Sequence, residues 1–166
     1  LRVLSKHRYG LVRRRTMFKN TLKAVLLRNG LGFERFGAVT PKALEAWLEA
    51  DLPEADRLVL VSAASMVMAL DAQIAEVERQ ILKRVRGVAA VRLLASIPGL
   101  GLMSAAALYA FLGDPARFQS PKAVARYAGL DPAVYQSGQV DRIGHISKHD
   151  PALLRWHLVE AEIGRA

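Results

Sequence analysis

A regular apolar repeat between Glu54 and Val85 constrains the fold of this chain more than any other feature. Because one helical turn takes about 3.6 residues, apolar residues at alternating spacings of three and four fall on one helical face. The repeat predicts a long helix with two possible partners. In the first alternative it is a core helix packed on the first helix of the same chain. In the second it is one strand of a coiled coil. That coiled coil is either a hairpin within the chain or the contact of a homodimer or larger assembly through residues 54–86. The repeat positions are Leu60, Ala63, Val67, Leu70, Ile74, Val77 and Ile81.

The formal net charge of +9 is concentrated at the start of the chain. Residues 1–28 hold nine basic residues and no acidic one, whereas the remaining residues balance fifteen against fifteen. Interleaved apolar positions predict a helix over 3–28 that stops at Asn29-Gly30. A helix of one charge sign indicates a polyanionic partner, with nucleic acid ahead of an anionic membrane surface or an acidic protein domain. The candidate contacts of this basic arm are Arg8, Arg13, Arg14, Arg15 and Lys19.

Capping and breaking residues predict the other helices. Leu130–His149 shows no sustained periodicity, and no segment alternates clearly enough to predict a strand. We therefore expect an all-α chain, with a basic arm and a coiled-coil-like linker over 1–87 and a small helical domain over 88–166. The predicted helices begin at Pro41 (ending near Asp51), Glu54 (ended by Gly87), Val88 (to Ser96), Leu102 (to Leu112), Pro121 (ended by Gly129) and Pro151 (to Ile163).

An uncharged run from Leu93 to Gly113 is long enough to span a bilayer. Its middle reads Ile97-Pro98-Gly99-Leu100-Gly101, which would break a spanning helix and leave backbone groups unpaired in lipid. Two buried helices joined by a tight turn explain it better. The pattern also matches a helix–hairpin–helix motif, in which glycines let the backbone approach a phosphate and a helix N-terminus receives the anion. Gly99 and Gly101 are the candidate DNA contacts; the alternative is a plain turn between packed helices.

A serine-bearing segment, Tyr135–Gly138, precedes several basic residues. An unassisted serine hydroxyl is a poor nucleophile and needs a base, a metal or a polarised electrophile. Arg142 and Lys148 can supply positive charge to a phosphodiester, and His145 or His149 can move a proton. Spacing alone favours a solvated turn. The absence of cysteine excludes disulfides and thiolate metal sites and fits a reducing cytoplasm.

Several of these motifs, taken in order, resemble one family, the IS110 insertion-sequence transposases with their IS116 and IS902 relatives. The resemblance covers nearly the whole chain, because the basic segment Leu4–Leu22 also fits. The motifs are Leu94…Ile97-Pro98-Gly99-x-Gly101, Gly113-Asp114-Pro115-x-Arg117-Phe118-x-Ser120-Pro121-Lys122, Tyr127-Ala128-Gly129-Leu130-Asp131-Pro132, Gln136-Ser137-Gly138, Gly144-x-Ile146-Ser147-Lys148 and Leu153-Leu154-Arg155.

The resemblance implies a site-specific DNA recombinase of bacteria or archaea that is guided by RNA. In this family an N-terminal RNase H-like domain bears four metal-binding carboxylates, and a C-terminal serine attacks DNA to form a phosphoserine intermediate. The serine of the family's Ser-Gly motif corresponds to Ser137, and we expect Gly138, Arg142 and Lys148 to contact DNA. Ser147, in the Ile-Ser-Lys element, is the less favoured nucleophile. The alternative is a nucleic-acid-binding and dimerisation module with no chemistry.

Two departures from the family pattern matter. The carboxylate domain is not in this sequence, which opens at Leu1, as expected of a piece of a longer protein. We therefore expect no metal site, no cofactor and no strand transfer from this part alone, and Mg²⁺ only with that domain. Asp131, Asp141 and Asp150 resemble turn and cap residues. In addition, His149-Asp150-Pro151 stands where the family usually has Arg-Gly-Asn.

Overall fold

The computed structural model describes residues 1–31, 38–137, 140–149 and 151–163. Helices dominate this part of the chain, and the predicted all-α class is confirmed. The elements are α1 (Arg2–Arg28), α2 (Pro41–Leu48), α3 (Glu54–Val85), α4 (Ala89–Ala95), α5 (Leu102–Leu112), a 3-10 turn (Pro115–Arg117), α6 (Pro121–Tyr127), β1 (Pro132–Ser137), β2 (Val140–Ile146) and α7 (Ala152–Ile163).

The chain divides into two compact units. The arm unit comprises Lys6–Gln80, and the C-terminal unit comprises Leu1–Ser5 together with Ile81–Ala166. Helices α1 and α3 each begin in one unit and end in the other.

In the arm unit, α3 packs against α1 through the face that carries the apolar repeat. Leu60, Ala63 and Val67 of α3 belong to one buried cluster with Leu22 and Val25 of α1. The later repeat positions 74 and 77 are buried as well, position 70 is half-buried, and position 81, which belongs to the C-terminal unit, is buried. The predicted repeat face is therefore covered within this chain, as expected for a core helix packed on the first helix.

Three ion pairs fix the register of α1 on α3. Arg8 lies 2.6 Å from Glu78, and Arg15 lies 2.7 Å from Asp71. Arg28 pairs with Asp56. Residue numbers rise along α1 while those of the partners fall along α3, so the two helices run antiparallel.

Two helices begin with the same local device, one in each unit. Thr40 and Ser120 are N-caps. The hydroxyl of each accepts a hydrogen bond from the backbone N–H three residues later, at 3.2 and 3.3 Å, and a proline follows each cap. Such a hydroxyl satisfies one of the unpaired N–H groups of the first turn, and proline has no N–H to leave unpaired. The predicted starts of α2 and α6 are confirmed.

The uncharged run 93–113 forms two helices and a turn, as predicted. Its longer helix, α5, has 11 residues, too few for the roughly 20 that span a bilayer. Residues 105–108 and 111 of α5 are buried. Among the described helices, α3 alone has the length and apolar composition to cross a membrane, a test that core helices also pass.

A β-hairpin occupies the segment that the sequence predicted to be irregular. β1 and β2 pair antiparallel, with Tyr135 opposite Arg142, Ser137 opposite Val140 and a bulge between Pro132 and Val134. The prediction that no strand forms was wrong here. Two short strands interrupted by a bulge do not produce the clean alternation that reveals a strand in a sequence.

Candidate functional site

The turn between α4 and α5 is built around Gly99. The Leu100 N–H donates to the Ile97 carbonyl at 3.0 Å, and Gly99 has φ +85°. With Pro98 before it, this is the arrangement of a type II turn, which requires a positive φ at its third residue. The backbone conformation predicted for Gly99 is confirmed, whereas Gly101 has φ −71°, which any residue adopts.

The N-terminus of α5 opens at the exposed Gly101. No side chain caps it, and its first turn contains no acidic residue. The Ala105 N–H donates to the Gly101 carbonyl, so the N–H groups of residues 102–104 precede the first intrahelical bond. Unpaired N–H groups and the positive end of the helix dipole suit an anion. The geometry is compatible with a phosphate contact at this turn.

A buried histidine lies behind the same first turn of α5. His157 of α7 is 5% exposed, and its Nδ1 lies 3.1 Å from the Ser104 hydroxyl. The Trp156 ring meets the His157 ring edge-on at 4.7 Å. This contact joins α7 to the start of α5 and thereby supports the turn at Gly99.

Ser137 is the last residue of β1 and pairs with Val140, the first residue of β2. Arg142 lies opposite Tyr135 in the same hairpin. The structure describes the backbone of these strand positions and not their side chains. Gly138, the predicted partner of Ser137 in the Ser-Gly motif, lies outside the described residues.

The base of the hairpin is closed by two hydrogen bonds between Asp131 and Ser147. The Ser147 hydroxyl donates to the Asp131 carboxylate at 2.7 Å, and the Ser147 N–H donates to the Asp131 carbonyl at 2.8 Å. Arg126 lies 3.9 Å from the other carboxylate oxygen. Hydrogen bonds to charged groups are stronger than neutral ones. Ser147 is thus engaged in holding the two ends of the hairpin together.

Gly129, at the end of α6, lies directly against the chain that leaves the hairpin. It has φ +66°, and a Cβ there would come within 2.5 Å of the His149 carbonyl oxygen. The Lys148 N–H donates to the Gly129 carbonyl at 3.1 Å. The Arg155 guanidinium of α7 donates to the carbonyls of Ala128 and His149, at 3.2 and 2.9 Å. Only glycine permits this approach of backbone to backbone.

These contacts give Lys148 an unusual backbone. Its φ is +54°, a conformation that costs a residue with a Cβ about 1 kcal/mol or more. Its neighbours impose the conformation, since Ser147 is bonded to Asp131 and the His149 carbonyl to Arg155. The Lys148 side chain is exposed and lies at the exit of the hairpin. The same contacts use only the backbone of His149.

The five cations predicted for the basic arm do not share one environment. Arg8 and Arg15 are half-buried in the ion pairs with Glu78 and Asp71. Of the other three, Arg13 and Arg14 are exposed, whereas Lys19 is half-buried.

No group of three or more histidine or acidic side chains that could hold a metal ion occurs among the described residues. Asp131 is occupied by Ser147 and Arg126. Asp141 pairs through its backbone with Gln136, and Asp150 lies outside the described part of the chain. The donor set of the described residues therefore does not fit a Mg²⁺ site.

Comparison with known proteins identifies the family. Residues 91–164, from α4 through α7, match the model of the "Transposase IS116/IS110/IS902 family". The chain belongs to this transposase family. It is 36% identical over 163 residues to a "Probable family 20 transposase" of Pseudomonas aeruginosa, covering 95% of this chain and 48% of the relative.

Two further family members are the transposases for insertion sequence elements IS1328 of Yersinia enterocolitica and IS1111A of Coxiella burnetii. They are 30% and 28% identical, over 95% and 96% of this chain and 47% and 44% of the relatives. The chain thus spans about half the length of the relatives it matches. It corresponds to the C-terminal region of an IS110-family transposase.

The bonds at the hairpin base were not predicted from the sequence, which indicated Asp131 as a turn or cap residue and Ser147 as a less favoured nucleophile. Asp131, Ser147 and Arg155 belong to three of the family-like motifs, and the structure brings these motifs together at one place. The sequence signals are a Gly-x-Asp after a helix end and a serine before a basic residue. Neither signal predicts that the two segments bond to each other.

Proposed function

We propose that this chain is the DNA-binding and nucleophile-bearing portion of a transposase, with Ser137 as the attacking residue. The observation that carries the proposal is the family match over 91–164, which includes the entire hairpin on which Ser137 lies. The closed base of that hairpin supports it, because an anchored hairpin holds a nucleophile in a defined position. The catalytic carboxylates would come from an RNase H-like domain, and guide RNA from the same full-length assembly in the cytoplasm of a bacterium or archaeon.

The proposed reaction is a transesterification. The Ser137 hydroxyl oxygen attacks the phosphorus of a DNA phosphodiester and loses its proton, while the bond from phosphorus to one deoxyribose oxygen breaks. That oxygen leaves with the cut strand and takes up a proton, so a phosphoserine linkage replaces the phosphodiester bond. Arg142 and Lys148 would stabilise the developing negative charge. The candidates to transfer protons are His145 and His149, which are both exposed.

DNA would be held at two places. In the C-terminal unit the turn at Gly99 and Gly101 offers backbone N–H groups to a phosphate. In the arm unit the outward cations Arg13 and Arg14 are available to the phosphate backbone, whereas Arg8 and Arg15 already have carboxylate partners. Contacts of this kind position DNA without reading its sequence.

A second candidate function is a binding and self-association module without chemistry. The exposed apolar residues of α3 favour it, since Leu58 is 71% exposed and Met66 is exposed as well. Because the repeat face of α3 is covered by α1, a homodimer through 54–86 would use this outward face. A Leu58→Glu variant should then lower the sedimentation coefficient of a dimer. The alternative predicts duplex binding that Ser137→Ala leaves unchanged, and no adduct under any condition.

The deciding experiment is a search for a covalent protein–DNA adduct on denaturing gels. This chain, joined to an RNase H-like domain of the family and supplied with guide RNA, Mg²⁺ and both DNA partners, should form the adduct. Ser137→Ala should abolish it, and Ser147→Ala should retain it if the fold is preserved. An adduct that survives in Ser137→Ala would show that the serine assignment is wrong.

A further inference from the structure

An arginine of the 3-10 turn between α5 and α6 stacks on two aromatic rings in the C-terminal unit. The Arg117 guanidinium carbon is 4.4 Å from the centroid of Phe118 and 4.5 Å from that of Tyr127. The two rings are 5.5 Å apart and inclined at 57°. The Tyr127 hydroxyl in turn donates to the Phe111 carbonyl at 3.2 Å, which fixes its ring against α5.

The rings of Phe118 and Tyr127 position the Arg117 guanidinium but accept no hydrogen bond from its N–H groups. Arg117 is exposed, and the structure shows no acceptor for its guanidinium among the described residues. A guanidinium that stacks on rings presents its N–H groups at the edge of its plane, in the geometry that matches phosphate oxygens. Because the rings already restrict the side chain, binding an anion costs less conformational entropy than it would for a free arginine.

The chain segment that contains Arg117 is cationic. No acidic residue occurs between Asp114 and Asp131, while Lys122 and Arg126 lie four residues apart on one face of α6 and are exposed. The Asp114 carboxylate is used to cap the 3-10 turn, accepting from the Ala116 N–H at 2.9 Å. The Asp131 carboxylate is bonded to Ser147 and lies no closer than 3.9 Å to Arg126.

We propose that Arg117 and Lys122 form a further phosphate-binding surface of this chain, which contacts the sugar–phosphate backbone of duplex DNA. The inference rests on the proposed function, because it assumes that the C-terminal unit lies on DNA. It adds a contact that neither the serine hairpin nor the Gly99 turn provides. The exposed cations and the absence of a carboxylate partner for Arg117 favour a polyanion over a single small anion.

The test is the salt dependence of binding of a fluorescently labelled duplex oligonucleotide to the full chain. Each phosphate contact contributes about 0.9 to the slope of log K against log salt concentration. Arg117→Gln and Lys122→Gln should therefore each reduce that slope by about 1. Lys42→Gln is the matched control, since Lys42 follows the same cap and proline at the start of α2 in the other unit. Its slope should stay close to that of the wild type.

Arg117→Lys separates stacking from charge. Lysine keeps the charge but cannot stack or present paired planar donors, so affinity should fall several-fold at constant salt, with a smaller change in slope. Thermal unfolding of each variant reports whether the fold is intact. If the wild type binds DNA and both glutamine variants match it, this surface is refuted and the proposed function stands. If the wild type fails to bind duplex DNA at low salt, the DNA-binding part of the proposed function fails, and this surface with it.

Discussion

Ser147 donates from both its hydroxyl and its backbone N–H to Asp131, 16 residues earlier in the chain. The two residues stand at opposite ends of the β-hairpin that bears Ser137. Ser147 thus closes the base of the hairpin, whereas Ser137 is the last residue of β1. The two serines of this region should therefore respond differently to the same substitution.

Removal of the Ser147 hydroxyl should destabilise the hairpin. We expect Ser147→Ala to lower the free energy of unfolding by about 1–2 kcal/mol, because a half-buried carboxylate loses a hydrogen bond. Ser147→Thr keeps the hydroxyl and should recover most of the loss. Urea denaturation measures the free energies, and hydrogen exchange at the Lys148 amide measures opening of the hairpin base. An alanine variant with unchanged stability would show that the backbone bond alone closes the hairpin.

Gly129→Ala should be among the most destabilising single-methyl changes in the C-terminal unit. The new Cβ would meet backbone atoms of His149 at 2.5 and 2.6 Å, and backbone cannot move aside as a flexible side chain can. Gly87→Ala is the control in the same unit, because Gly87 also has a positive φ (+84°) and no atom lies within 4 Å of its Cβ. The control should cost about 1–2 kcal/mol for its positive φ.

Gly129→Ala should cost at least ~2 kcal/mol more than that control, because steric overlap adds to the backbone term. Thermal unfolding of the two variants side by side gives the difference. Equal losses would mean that the contact between α6 and the hairpin exit relaxes without cost.

Much of the helical architecture is readable from the sequence because its signals are local. One such signal is the cap and proline at Thr40-Pro41, which lie next to each other in the chain. Another is the apolar repeat of 54–85, whose successive positions are only three or four residues apart. The Asp131–Ser147 bonds and the Arg8–Glu78 pair join residues 16 and 70 positions apart. No local pattern encodes such pairings, since they depend on how finished elements pack. For this reason the sequence did not predict the hairpin. It also did not predict that Arg8 and Arg15 of α1 are paired with Glu78 and Asp71 of α3.

Stability should depend on pH through Asp56. Hydrogen bonds from Arg28 and then from Asn29 hold the pKa of the Asp56 carboxyl below its ordinary value. The unfolded chain therefore binds a proton more readily than the folded one, and stability rises with pH across this interval. The contribution is complete above the ordinary aspartate pKa of about 3.9 and is lost as the pH falls toward the lowered value.

Asp56→Asn should remove this part of the acid dependence. Urea denaturation at a series of acidic pH values gives stability against pH, and the variant's curve should be flatter at its acid end. Asp51→Asn is the control, because Asp51 is exposed and has no described bond to another side chain. Identical curves for Asp56→Asn and the wild type would show that the Arg28–Asp56 contact does not persist in solution.

The basic arm offers a direct test of whether charge position or charge number governs DNA binding. Arg13→Gln with Arg14→Gln and Arg8→Gln with Arg15→Gln each remove two positive charges from the same helix. The first pair is exposed, and the second is held by carboxylates of α3. If phosphates neutralise only the unpaired cations, the exposed double variant should reduce the salt slope of duplex binding by about 2.

The Arg8→Gln, Arg15→Gln variant should lower the stability of the fold more than it changes DNA binding. Each ion pair of this exposure contributes about 0.2–1 kcal/mol, so unfolding should become easier by roughly 1 kcal/mol in total. Its salt slope should change by less than half as much as that of the exposed variant, since its arginines are already neutralised by Glu78 and Asp71. Equal slopes for the two variants would mean that these ion pairs open when DNA binds, and that all four of these arginines contact phosphate.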